Sequence, residues 1–212
     1  GFEAGNIELS LDMKGKDLDW KAWRTTGWLA LTNGLMNAKG AEGPIQDLYL
    51  RVQLVRNGAE IKRLSFRLFD SDVALEGTIR NWTAKPTITA KIESNQMDLD
   101  LLIPKGQRSP MRDFLEFLAA TSKVQATASI AHGRYKHLKF GSLAARITIQ
   151  DGVLDLDRVS GQSANGEVAG RLVVRLPLKQ PAEAELAVRA TGLLVEDVLK
   201  LAGEKGRGIT GE

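Results

Sequence analysis

The chain has 212 residues, of which 43% are hydrophobic, 26% charged and only 6% aromatic, with a net charge of +3. That is the composition of a folded chain with an aliphatic interior, and its scattered Lys and Arg form no basic block that would point to nucleic acid. The absence of Cys excludes disulfides and thiolate metal sites.

Strand-type alternation begins at once, with Ile7, Leu9, Leu11 and Met13. A period of two marks a strand with one buried and one wet face. The pattern returns at Leu48, Leu50, Val52 and Leu54, passes the hairpin dipeptide Asn57-Gly58, and resumes at Leu64, Phe66 and Leu68. Val73, Leu75, Gly77 and Ile79 follow, and then Ile88, Ala90 and Ile92. One helical turn is predicted near Asp98 to Ile103, ahead of Pro104.

The clearest helix spans Ser109 to Leu118, with Ser109 as N-cap, Pro110 at the first helical position, and Met111, Phe114, Leu115 and Leu118 on one stripe. Strands resume at Val124, Ala126, Ala128 and Ile130, and at Leu143, Ala145, Ile147 and Ile149. Turns at Asp151-Gly152 and Asn165-Gly166 precede Leu172, Val174 and Leu176, then Ala184, Leu186, Val188 and Ala190. A last helix is expected from about Val195 to Ala202, stopped by Gly203. Successive strands are expected to pair as antiparallel neighbours.

The chain repeats itself at about 95 residues: Gly77 answers to Gly170, Pro86 to Pro181, and Ile61-Lys62-Arg63-Leu64-Ser65 to Leu156-Asp157-Arg158-Val159-Ser160. A Leu/Asp-rich phrase recurs three times, at Gly15 to Trp20, Asn95 to Leu102 and Gly192 to Leu199. The expected organisation is therefore the end of a preceding repeat at 1–26, a β-repeat at 27–104, an amphipathic helix and connection at 105–121, a second β-repeat at 122–203, and the start of another at 204–212. On this view the sequence is a segment of a longer array. No run approaches the roughly 20 apolar residues of a membrane-crossing helix and Gly1-Phe2-Glu3 has no signal-peptide character, so any anchor is expected outside the segment.

Helices so few and short cannot cover a dozen strands. The inward aliphatics must be shielded either by a second sheet, as in a closed sandwich or barrel, or by a ligand lying in one long curled sheet. On alternation alone the closed sandwich comes first.

A resemblance shifts that balance. Gly141 to Asp157 (Gly-Ser-Leu-Ala-Ala-Arg-Ile-Thr-Ile-Gln-Asp-Gly-Val-Leu-Asp-Leu-Asp), followed by Ala164-Asn165-Gly166-Glu167-Val168-Ala169-Gly170-Arg171-Leu172, resembles the AsmA-like repeats of Gram-negative envelope proteins. Leu64 to Ile79 is similar in the same way and leans towards the YhdP branch; the likeness covers about residues 27 to 212. The resemblance implies an all-β, repetitive antiparallel sheet curled into a groove or open sandwich. It implies a periplasmic protein, anchored in the inner membrane when full length, that shields and conducts phospholipid or related lipid between inner and outer membrane. It carries no catalytic motif, so candidate lipid contacts come from alternation: Leu48, Leu50, Val52, Leu54, Leu64, Phe66, Leu68, Val73, Leu75, Ile88, Ile92, Leu143, Ile147, Ile149, Leu172, Val174, Leu186 and Val188. An apolar floor of this kind implies little headgroup selectivity.

Other chemistry has little support. His132 and His137 lie five apart, on opposite faces of a strand, which does not suit one metal ion. Asp17/Asp19, Asp98/Asp100 and Asp155/Asp157 alternate with Leu as a solvated face does, and no closing Glu completes a calcium loop. The Gly203 to Gly211 run lacks the Lys-Ser/Thr of a phosphate loop, and no Gly-x-Ser-x-Gly occurs. No enzyme activity and no cofactor is expected. Two further classes stay open: a structural or adhesion module built of closed sandwiches, and a carbohydrate-binding module using Trp20, Trp23, Trp28 and Trp82.

Overall fold

The structure, a computed structural model, describes residues 2–15, 24–37, 43–101, 110–135, 138–163, 166–176 and 183–192. Its strands are β1 (Phe2–Lys14), β2 (Arg24–Met36), β3 (Ile45–Val55), β4 (Gly58–Leu68), β5 (Ser71–Arg80) and β6 (Thr87–Asp98), followed by a 3-10 turn at Leu99–Leu101. Helix α1 (Pro110–Thr121) leads to β7 (Lys123–Tyr135), β8 (Leu138–Gln150), β9 (Val153–Ser163), β10 (Gly166–Arg175) and β11 (Glu183–Thr191). All eleven strands form one open sheet in chain order. The fold class is the all-β, repetitive, curled and mostly antiparallel sheet implied by the resemblance. The second sheet of a closed sandwich, placed first on alternation alone, does not exist among the described residues. The alternation looks the same in both architectures, because it records one apolar face per strand and not what covers that face.

One pairing departs from the antiparallel expectation: β6 and β7 are parallel. A tight hairpin reverses the chain, whereas a helical crossover returns it to the end from which it started, and α1 is that crossover. It also divides the sheet into β1–β6 before it and β7–β11 after it.

Cross-strand register puts the alternating aliphatics on one continuous face. Leu9 opposes Leu29, Leu29 opposes Val52, and Val52 opposes Ile61. Further along, Leu75 opposes Ile92, Val124 opposes Ile149, Ile149 opposes Leu154, and Leu172 opposes Leu186. Register shifts occur where the alternation changes parity, and several carry a non-glycine residue at positive φ: Asp47 (52°) in β3, Ser142 (41°) in β8 and Arg158 (51°) in β9. Each bulge absorbs an extra residue, so that Leu48 in β3 and Val159 in β9 return to the apolar face.

The accessible surface of 14714 Å² far exceeds the roughly 9,700 Å² expected of a compact monomer of this mass. Apolar side chains on the outer strands are open to solvent. Ile7 and Leu9 in β1 are 63% and 57% exposed, and Leu186 in β11 is 70% exposed.

A candidate lipid-binding face

The polar face is solvated and charged. Arg171 Nε donates to Asp155 Oδ1 at 3.0 Å, and this pairing holds the Asp155 carboxyl below its ordinary range. Glu60 is lowered likewise by its bond to Lys62. Asp157, the neighbour in the Asp155/Asp157 pair, has a buried Oδ1 with no hydrogen-bond partner. Among the described residues no cluster of three or more His, Asp or Glu could hold a metal ion; His132 is exposed and His137 lies outside the described residues.

The apolar face is the larger feature. Every candidate position from Leu48 to Val188 falls on it by register, and these side chains range from buried Ile149, 2% exposed, to Leu186. Among the described residues only α1 covers it. Leu115, Leu118 and Ala119 of the helix pack with Ile88, Val124, Ile147, Ile149, Leu154 and Leu176, at the end of the sheet where β7 begins. The stripe expected for this helix needs one correction: Phe114 is 55% exposed and points away from that cluster, as does Phe117 at 61%. A helix lying on a flat apolar floor buries a narrow strip, so only part of a wide apolar arc finds cover. Ser109, the expected N-cap, and the helix expected at Val195 to Ala202 lie outside the described residues; the turn expected near Asp98 is the 3-10 turn.

At the opposite end of β6–β8 the far rim holds a cavity of about 820 Å³ that alternation did not reveal. Phe69, Met97 and Phe140 contribute its apolar lining, and Asp70, Asp98, Asp100, Arg134 and Lys139 its charge. These residues are distant in sequence, and only the pairing of strands gathers them. Its shape depends on Asp72, which accepts the backbone N–H groups of Asn95 at 3.0 Å and Gln96 at 2.8 Å, plus the Asn95 amide at 3.0 Å. Ser94 Oγ donates to the Gln96 carbonyl at 2.9 Å. Together these bonds fold Asn95-Gln96 so that Met97 is buried at 6% exposure.

The two described tryptophans do not gather. Trp28 opposes Ser10 and Gln53 on the polar face, and Trp82 lies in the turn after β5; Trp20 and Trp23 are outside the described residues. Comparison with models of protein families, with curated proteins and with solved structures returns no match.

Proposed function

We propose that this chain is a segment of a lipid conduit, in which acyl chains of phospholipid or a related lipid lie on the apolar face and pass along it between the inner and outer membranes. One observation carries this reading: an apolar face that crosses eleven strands and is covered, among the described residues, by a single helix. Each acyl methylene taken from water onto such a floor gains about 0.8 kcal/mol, and aliphatic contacts have no direction, so a chain slides instead of locking. The function is binding and passage without bond chemistry. The likeness to AsmA-like repeats supports a periplasmic location with an inner-membrane anchor elsewhere in the full-length protein.

Native mass spectrometry of the purified chain, followed by lipid extraction, tests the proposal. Co-purifying phospholipid is expected, and Leu50→Asp or Ile147→Asp should remove most of it, since a central carboxylate raises the cost of seating an acyl chain by several kcal/mol. Undiminished lipid on folded Asp variants would overturn it, as would a chain that never carries lipid.

A further inference from the structure

The cavity at the far rim has a charge pattern that the apolar face does not need. Asp98, Arg134 and Lys139 stand in one cross-strand row: Asp98 opposes Arg134, and Arg134 opposes Lys139. Asp98 and Arg134 form an ion pair. The next pair in the row places Lys139 directly opposite Arg134; Asp98 answers one of these two cations, and a second anion would answer the other. Asp70 and Asp100, on the same lining, add carboxylates of their own. The bond from Asp98, with the fields of Asp100 and Asp70, holds the Arg134 guanidinium above its ordinary pKa, so these groups act on one small volume.

The apolar surroundings connect this rim to the floor. Met97, Gly133 and Phe140 oppose one another in the neighbouring row, and a side chain on Gly133 would meet the Phe140 ring at 2.2 Å, so the ring lies over that glycine. From there the same strands continue through Ile130 and Leu143, then Ile92, Ala128 and Ala145, towards α1. The alanines leave width for an acyl chain between the rim and the helix.

From this juxtaposition we propose that the cavity binds a phosphoethanolamine group, its phosphate between Arg134 and Lys139 and its ammonium against Asp70 and Asp100. The proposal rests on the conduit reading where the group is a lipid headgroup, and it adds selectivity that aliphatic contacts cannot supply. A cavity of about 820 Å³ is within the range of small-ligand sites, roughly 300–1,000 Å³, and is ample for such a headgroup with the start of its chains.

The 212-residue chain is incubated with vesicles of phosphatidylethanolamine and phosphatidylglycerol, equimolar and with matched acyl chains, and the lipids that re-purify with it are quantified. Phosphatidylethanolamine should be enriched roughly tenfold, the discrimination of one charge-assisted hydrogen bond. Asp70→Asn, at an exposed position, should bring the ratio towards unity while total lipid holds steady; Lys139→Gln, also exposed, removes a phosphate contact that both lipids share and should leave the ratio unchanged. Total lipid reports on the apolar face and the ratio reports on the cavity. No uptake therefore overturns the conduit, whereas uptake without enrichment overturns the headgroup site alone. A second arm titrates free O-phosphoethanolamine into the isotope-labelled chain and follows amide resonances. Saturable shifts at Asp70 and Lys139, abolished in the variants and seen without lipid uptake, would assign the cavity to the soluble zwitterion; no shifts and no enrichment would refute the site.

Discussion

Asp72 shows how one carboxylate shapes the far rim. Burial alone would raise its pKa, but the N–H groups of Gln96 and Asn95 and the Asn95 amide outweigh that effect and hold it below the ordinary aspartate range. A lowered native pKa means stabilisation that is complete above the unfolded value and lost as pH falls through the native one. Asp72→Asn should therefore destabilise the chain by about 1 kcal/mol at neutral pH, allowing for solvent screening. Urea unfolding at pH 7 and near pH 3 checks this: the gap between wild type and variant should narrow in acid, and a pH-independent gap would contradict the clamp. Glycine acts at the same scale. A Cβ on Gly77 would meet the Thr89 carbonyl oxygen at 2.3 Å, and on Gly170 that of Ala187 at 2.7 Å. The two glycines that mark the repeat thus serve the same close strand approach in each copy.

At the scale of elements, α1 matters most because it lies where a lipid chain would lie. Its Leu115 and Leu118 seat on Val124, Ile149 and their neighbours, of which Ile88, Ile147 and Ile149 are also proposed lipid contacts. Helix and acyl chain therefore compete for one floor. Replacing both leucines with alanine should cost about 2 kcal/mol, as expected for half-buried side chains, and should raise the lipid bound per chain. Denaturation and native mass spectrometry together decide this; lower stability without a gain in lipid would reduce α1 to packing. Bulges act at this scale too. Those at Asp47 and Ser142 fall at corresponding points of the two repeats, as do the register shift after Ile61 and the bulge at Arg158. The repeat is thus written in backbone irregularities as well as in side chains.

Among the described residues the sheet has two free edges, and most of its buried aliphatics lie on the central strands. Val124, Ala126, Ile130 and Ile149 on β7 and β8 are nearly covered, whereas β1 and β11 are exposed along their length. Local opening follows burial. Amide hydrogen exchange should be slowest in β6–β8 and fastest in β1 and β11, with a monotonic gradient between them; uniform protection would imply a closed core instead.

Much of this was legible in the residues. Period-two alternation located nine of the eleven strands, all but β2 and β9; Asn57-Gly58 and Asp151-Gly152 marked turns whose Asn57 and Asp151 do adopt positive φ, and the proposed lipid contacts all reached one face. These are local properties, set by neighbours two to four positions apart, where sequence and conformation are directly coupled. Tertiary structure alone decided three things: that the sheet stays open, that β6 and β7 run parallel across α1, and that Asp70, Asp98, Arg134 and Lys139 meet around one cavity. Each depends on which distant strands pair and in what register, and alternation is blind to both, because any partner that presents an apolar face satisfies it equally.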